Sequence, residues 1–593
     1  MAPQDDRFEY DQFDEEDSPT YGGDRWAEGG FGRDEADPEA DPAGRAGADD
    51  SDSDTEDSDT GDADSDTGDA DSDTGDADSD SGDADSNTES GGSAPEDGDR
   101  SVAAGRAAAA EAPEKDAQEA VIAAVLQEIR GGDNPDVVPA QSTVAGYAEF
   151  LAVDAVLDRR WPESVMEPSL DRMQALCDAL GEPQRGYPVV HLTGTNGKTS
   201  TSRMIDALLT EIGLRTGRYT SPHLQRATER INLDNRPVSP ERYVEAYREV
   251  EPVVELLDAK RGDEPQLSKF EVLTAMAFAT FSDAPVEAAV IEVGLGGRWD
   301  ATNVADAHVA VVLPIGVDHA EYLGDDIVGI AREKAGIIKP GSVAVLAAQD
   351  KQVAEVLIER CAEVGAQVAR EGAEFGVRER EIAVGGQRLE LQGLSGRYDD
   401  VFIPLHGEHQ AANAAVALAA AEALVGAGTA QPLDPDAVRA AFASVRSPGR
   451  LEPVQGGPDV PTVLLDAAHN PAGATALARA LTTEFRFTRL VGVIGVLQGK
   501  DARGILEGLE PVLNEVVVTG NASPRAMNPD ELGALAAEVF GADRVSVEPS
   551  LQLAIDQAGE LAEEAGGSGV GVVVTGSVVT AGEARALFGK EPE

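Results

Sequence analysis

The stretch Val189-Val190-His191-Leu192-Thr193-Gly194-Thr195-Asn196-Gly197-Lys198-Thr199-Ser200 decides how the rest of the chain is read. A short β-branched run ends in a tight glycine turn, and an amphipathic run opens at Thr199. That order reads as a buried strand feeding a helix. Backbone N–H groups at a helix start point at anions, and the helix dipole favours negative charge there. Lys198 would reach terminal phosphate oxygens, and the Thr199 hydroxyl would face a magnesium ion or a phosphate. The spacing departs from the common phosphate loop G-x-x-x-x-G-K-[ST], because Leu192 stands where its first glycine would be. The loop present is the shorter Gly194-Thr195-Asn196-Gly197-Lys198-Thr199.

Outward from this loop, short β-branched runs alternate with amphipathic stretches. Strands are expected at Val189–Leu192, Ala288–Val293, Val309–Ile315, Val343–Ala347, Val463–Leu465, Val491–Val496, Val516–Thr519 and Val570–Thr575. Helices are expected between most of them, and over 116–130, 144–159, 326–336 and the Ala-rich stretch 411–427. The rhythm predicts an α/β chain with parallel sheets covered by helices on both faces. The loop Arg446-Ser447-Pro448-Gly449-Arg450 separates two groups of strands, which places a domain boundary there.

The first 118 residues read differently. The heptad Gly-Asp-Ala-Asp-Ser-Asp-Thr runs at 61–67 and 68–74 and recurs with small changes at 75–81 and 82–88. About half of the chain's net charge of −63 falls in the first hundred residues. An EF-hand would need a closing Glu and flanking helices, and a calcium β-roll an apolar residue in each repeat; the repeats have neither. A self-repelling, disordered tail is the reading that remains. The overall acidity excludes a globally basic nucleic-acid binder. Cys177 and Cys361 are far apart with no Cys-x-x-Cys, so neither a disulfide framework nor a zinc site is expected. The start of the chain is acidic and lacks an apolar run, and no apolar stretch of about 18 residues follows, so neither a signal peptide nor a membrane span is expected. A cytoplasmic location fits these features.

Further blocks follow the loop in order. They are Tyr219–Leu224, Glu229–Ile231, Phe270–Phe278, Ile291–Asn303, Ile315–His319, Arg332–Lys339, His409-Gln410 with Asn413, Pro448–Glu452, Asp466–Pro471, Ser523–Ala526 and Thr575–Ser577. With the short ATP loop they resemble the folylpolyglutamate synthase and dihydrofolate synthase branch of the Mur ligase superfamily, in its actinobacterial form, over roughly 155–590. The acidic tail has no counterpart in that pattern. The resemblance implies a two-domain Mur-ligase-like architecture with a P-loop ATPase domain and a smaller Rossmann-like C-terminal domain. The segments are then a tail over 1–118, a helix and linker over 119–143, the ATP-binding domain over 144–447 and the second domain over 448–593. It implies an ATP-dependent ligase that adds L-glutamate to the γ-carboxylate of a reduced folate, and also to dihydropteroate, through an acyl phosphate. The alternatives are a peptidoglycan-precursor ligase, disfavoured by a polar 1–143 that is no nucleotide-sugar domain, and a non-catalytic ATP-binding scaffold whose tail recruits a partner.

The resemblance also assigns roles. Gly194, Thr195, Asn196, Gly197, Lys198, Thr199 and Ser200 hold ATP, with Asn413, Arg450 and Asp466. Ser221, Glu292 and His319 are magnesium ligands; Glu292 ends one strand and His319 follows another, at the carboxyl edge where such sheets bind ligands. Lys198, His319 and Lys334 take part in catalysis. A lysine in the expected helix 326–336 would alone read as a solvated face; the resemblance makes Lys334 carbamylated, which needs a low pKa. Phe270, Trp299, Asp300 and Ala301 line a pterin pocket beside Gly294-Leu295-Gly296-Gly297, which is not a dinucleotide fingerprint, and His469 and Ser577 bind substrate. Arg525 belongs to a matching block. Within Gly495–Asp501, Gly499 stands where the pattern has Asp. ATP, Mg2+ and K+ are the implied cofactors, folate or pteroate and glutamate the partners, with no nucleic acid or membrane, and a monomer is the family expectation.

Overall fold

The computed structural model describes residues 142–161, 169–262, 265–426, 431–457, 460–564 and 569–593. The acidic repeats and the helix expected over 116–130 lie outside them. The helix expected over 144–159 runs Val144–Leu157, with the Thr143 hydroxyl accepting from Gly146 N.

Three sheets carry the described chain. The first has eight strands: β1 (Val189–Thr193), β2 (Thr216–Tyr219), β3 (Ile231–Leu233), β4 (Arg236–Pro237), β5 (Ala288–Glu292), β6 (Val309–Val312), β7 (Val343–Leu346) and β8 (Gln367–Arg370), in the order β4-β3-β2-β5-β1-β6-β7-β8. From β2 to β8 across the sheet the neighbours are parallel, and β3 and β4 add an antiparallel edge. The second is an antiparallel meander of β9 (Gly376–Ala383), β10 (Gly386–Gln392) and β11 (Arg397–Ile403). The third has β12 (Glu452–Gly457), β13 (Val460–Leu465), β14 (Arg489–Ile494), β15 (Glu515–Val518), β16 (Val545–Val547) and β17 (Val570–Thr575), in the order β12-β13-β17-β14-β15-β16, parallel except for β12.

Every strand expected from sequence is present, with ends shifted by up to three residues. The sequence did not predict β2, β3, β4, β8, β12 and β16, nor the meander. Its strands are rich in Arg and Glu, so they show little of the apolar signal of a buried strand; the Gly385-Gly386 turn was the available cue, both glycines having φ between +78° and +159°.

The first sheet is buried on both sides because successive side chains of a strand point to opposite faces. Val190 and Leu192 enter one core with Met204, Ile205 and Leu208 of the helix Lys198–Glu211 and with the alanines of the helix Glu408–Gly426. Small side chains there let that helix lie close to the Lys198–Glu211 helix. Its one internal acid, Glu422, is buried and accepts from the Tyr398 hydroxyl at 2.7 Å. On the other face Val189, Tyr219 and Ile291 meet the helix Lys269–Asp283. That helix opens with a capping box, Ser268 accepting from Glu271 N and Glu271 from Ser268 N. Both cysteines are buried and free. Among the described residues no helix is long and apolar enough to cross a membrane.

Candidate active site

Strand β1 lies between β5 and β6, where the chain's path reverses direction across the sheet. The carboxyl ends of β1 and its neighbours therefore diverge into a crevice. The register sets Leu192 beside Glu292 and Thr193 beside Val312, so the loop after β1 emerges next to Glu292. Gly194 has φ +151°, and a Cβ there would sit 2.6 Å from Leu313 Cβ; Gly197 has φ +90°, and its Cβ would meet Asn413 Oδ1 at 2.8 Å. Only glycine fits either place. The helix begins at Lys198, one residue before the expected start, and no side chain caps it. Its first N–H groups are thus left for an anion. The Lys198 ammonium donates to Gly194 O at 3.1 Å and Thr195 O at 3.3 Å, folded over its own loop. Burial lowers its pKa, with Arg450 and Lys500 adding to the effect and Glu292 and Asp318 opposing it.

Glu292 is buried and accepts from the Thr199 hydroxyl at 3.0 and 3.1 Å. Burial raises its pKa, while Lys198 and the Thr199 bond pull it down. A carboxylate with only a hydroxyl donor in direct contact is poorly satisfied away from water, so its oxygens are suited to bind a cation. Ser221, buried, and His319 open on the same cleft. His319 is held neutral, burial and then Lys500 bringing its pKa down to about 3, so its Nε2 carries a lone pair. Lys500 Nζ donates to that lone pair at 3.2 Å. Among the described residues no three of His, Cys, Asp or Glu are grouped to hold a metal; the expected set has only two of these types, plus a hydroxyl. That sparse oxygen-and-nitrogen set fits magnesium, which keeps waters and phosphate oxygens as its other ligands.

Lys334 ends the helix Ile327–Lys334 and is buried, not solvated. Its ammonium donates to Gly194 O at 3.1 Å, so it touches the ATP loop. Burial, then the Lys198 charge, brings its pKa down to about 7.

The third sheet closes the cleft. Asp466, after β13, is half-buried and accepts from Leu451 N and Ala468 N, each at 2.8 Å. Arg450 stands within electrostatic reach of Asp466, Glu292 and Lys198. The His469 Nδ1 is 2.9 Å from Ala467 O, which fixes the proton there and leaves Nε2 bare; burial, then Lys500, brings its pKa down to about 4. The Asn196 and Asn470 amides bond each other at 3.1 and 3.2 Å, joining the ATP loop to the third sheet's side of the cleft. The whole cleft measures about 340 Å³.

Residues 192–421 match the Mur ligase middle domain, and 449–578 match the Mur ligase glutamate ligase domain. A relative named dihydrofolate synthase/folylpolyglutamate synthase from Mycobacterium tuberculosis is 55% identical over 483 residues, which is 78% of this chain and 98% of that protein. The chain belongs to the dihydrofolate synthase/folylpolyglutamate synthase family. The crystal structure of Mycobacterium tuberculosis folylpolyglutamate synthase complexed with ADP and AMPPCP is 56% identical and superposes with a TM-score of 0.72, covering 76% of this chain and all of that one. Folylpolyglutamate synthase from Thermotoga maritima is 32% identical, with a TM-score of 0.63 over 74% of this chain and 96% of its own. The Mur-ligase-like α/β fold expected from the sequence is therefore the fold of the chain.

Within this synthase fold, the expected residues divide into two groups. Gly194 to Ser200, Ser221, Glu292, His319, Lys334, Asn413, Arg450, Asp466 and His469 all line the one cleft. Phe270, Trp299, Asp300, Ala301 and Ser577 stand behind its lining. Phe270 packs on Gly294, where a Cβ would lie 2.5 Å from its ring. Asp300 turns inward, accepting from Leu295 N and Thr302 N, and Ala301 is buried beside it. Trp299 is half-buried and donates its backbone N–H to Glu333 Oε1 at 3.3 Å. Ser577 accepts from Thr580 N at 3.0 Å and caps the helix Val578–Leu587. Arg525 donates to Gln498 O and faces Glu321 at 3.9 Å.

Asp318, which lines the cleft, and Lys500, which bonds to it, are two residues to which the sequence assigned no role. Asp318 accepts from Lys500 at 2.7 Å, from Asn470 at 2.8 Å and from His319 N at 2.8 Å. Burial would raise its pKa, but Lys500, His319 and His469 together hold it well below the usual carboxylate range. Asp318 lies in the Ile315–His319 block, and Lys500 directly follows Gly499. That glycine has φ +83°, and a Cβ there would meet Glu321 Oε2 at 3.2 Å.

Proposed function

We propose that this chain is an ATP-dependent ligase that joins L-glutamate to the γ-carboxylate of a reduced folate, and dihydropteroate to L-glutamate. The observation that carries this reading is the convergence of Lys198, Glu292, His319, Lys334, Arg450 and Asp466 on one cleft between two sheets. The names of the relatives favour a folate acceptor over a peptidoglycan precursor or a scaffold.

Acceptor, ATP and glutamate are all anionic, so the first task is to bring like charges together. The Lys198 ammonium and the helix N–H groups neutralise the ATP phosphates, and Arg450 approaches from the third sheet. Glu292, Ser221 and His319 would hold a magnesium ion, which would supply further positive charge to offset the anionic substrates. The acceptor carboxylate attacks the terminal phosphorus, ADP leaves, and an acyl phosphate remains. The glutamate amine then attacks the acyl carbon; phosphate leaves, and the amine loses a proton. His469 and Lys500 face the place where that amino acid would enter, and gripping ATP from both sheets makes closure part of assembly of the site.

Several finer features belong to the same proposal. Lys334 carries a carbamate, supported by its burial and its pKa of about 7. The working units divide at 447/448, the enzyme is a cytoplasmic monomer, and Phe270, Trp299, Asp300 and Ala301 back the acceptor's ring. The decisive assay measures ADP release with tetrahydrofolate or dihydropteroate, with and without glutamate. Release should need both substrates, and Lys198→Ala should lower it by about 10²–10³-fold, the loss typical of one pre-placed charge-stabilising donor. No release from folded protein with either acceptor would refute the reading.

A further inference from the structure

Beyond Glu292 the cleft wall is made by Gly294, Leu295 and Gly296, which have no polar side chain. Its shape depends on what holds their backbone. Thr193 donates from its hydroxyl to Gly296 O at 2.8 Å, and Leu295 N donates to Asp300 Oδ2 at 2.9 Å. Asp300 is held in turn by Thr302, whose N–H donates to Oδ1 at 3.0 Å and whose hydroxyl donates to the same oxygen. Having given its proton to Asp300, that hydroxyl must accept from its other neighbour, His191 Nε2, at 2.8 Å.

His191 is fully buried in the middle of β1, and Thr302 is fully buried beside it. Burial, then the Lys339 charge, brings the His191 pKa down to about 3, so the ring is neutral with its single proton on Nε2. Its Nδ1 has no partner, as suits a bare lone pair. Donors therefore run one way, from His191 through Thr302 to Asp300, while Asp300 holds Leu295 with its other oxygen.

We propose that His191 is a positioning residue for the acceptor substrate: through Thr302 it orients Asp300 and so sets the Leu295–Gly296 wall beside Glu292. This rests on the ligase reading above, in which the acceptor acid lies along that wall. The charge of Asp300 matters to the same chain. Burial raises its pKa to about 6 against the bonds from Thr302, Leu295 and Gly294. Lys334 and Glu333 of the neighbouring helix, Arg298 of its own loop, and Lys339 beside His191 are the charged groups around it. Asp300 is ionised above its pKa, so the wall is held above about pH 6 and loosens below it. Removing the Thr302 hydroxyl removes a bond that favours the charged form, so the titration must move upward.

The test uses the full chain with Thr302→Val, His191→Leu and His191→Gln, measuring kcat and the KM of acceptor and ATP between about pH 5 and 8.5. Thr302→Val should raise the acceptor KM by about fivefold, the loss expected for one hydrogen bond, with kcat and ATP KM within about twofold. The acidic limb of kcat/KM should shift upward. His191→Leu should repeat this, and His191→Gln, which keeps an N–H donor, should recover most of the loss. If His191→Leu fails to fold, Thr302→Val, a near-isosteric change, decides alone. An unchanged acceptor KM and limb in Thr302→Val, or equal losses for acceptor and ATP, would overturn the assignment. A silent wild-type enzyme would instead overturn the ligase reading, and this inference with it.

Discussion

Asp318→Asn is the perturbation that probes how the two sheets are joined at the site. The carboxylate and its Lys500 partner are 2.7 Å apart, with side chains only 10% and 12% exposed. Asparagine keeps the size and the acceptor for His319 N but removes the charge, leaving Lys500 near Lys198 and Arg450 without its counter-ion. Truncating one partner of a buried, hydrogen-bonded charge pair costs about 2–5 kcal/mol. Because water reaches this cleft, the lower end applies, about 2–3 kcal/mol, or roughly 30–150-fold in kcat/KM for glutamate. ATP binding to the loop alone should change much less. The assay is initial-rate ADP release across glutamate concentrations for Asp318→Asn, Lys500→Met and the double variant. Direct pairing requires the double variant to be less impaired than the product of the single losses, with a coupling of at least about 1.5 kcal/mol. Additive losses, or Asp318→Asn within about twofold of wild type, would refute the pairing as a functional contact.

The other expectations are simpler to state. Gly297→Ala places a Cβ 2.9 Å from Lys334 O and 3.1 Å from Glu333 O; backbone cannot yield easily, so a loss of about 1–3 kcal/mol should appear in chemical denaturation. Lys334 should show a carbamate carbon signal when the enzyme is placed in 13C-bicarbonate, absent in Lys334→Met, whose turnover should fall by at least about tenfold. Deleting residues 1–118 should leave kcat and both KM values within about twofold, because all the cleft-lining residues lie between Thr193 and Val578.

Much of the site was legible because its chemistry is local. A strand, two glycines with positive φ and a helix start must be contiguous to cradle phosphate, so Gly194 to Ser200 could be read directly. Glu292 was legible for a related reason: an acid closing an apolar run is a costly place for a charge unless something is bound there. Lys334 was harder. Its helix was expected to within two residues, yet nothing in eight residues of sequence says which face the neighbouring loop covers. Asp300 and Ser577 show the opposite case, since each belongs to a recognisable block while its oxygens cap its own turn or helix. The meander over Gly376–Ile403 was missed because polar strands pair through backbone groups that every residue carries.

What the sequence by itself determined, then, is the class of the machine: alternating strands and helices, an anion cradle after β1, acids and imidazoles at strand ends, and an order of blocks shared with one family. Only the tertiary structure decided the partnerships. Asp318 and Lys500 are 182 residues apart and meet across two sheets; His191 and Thr302 are 111 apart and meet behind the cleft wall. Local pattern reports what a backbone segment prefers. The charge and proton state of a buried group depends instead on whichever distant side chains the fold brings within a few ångströms, where water no longer screens them.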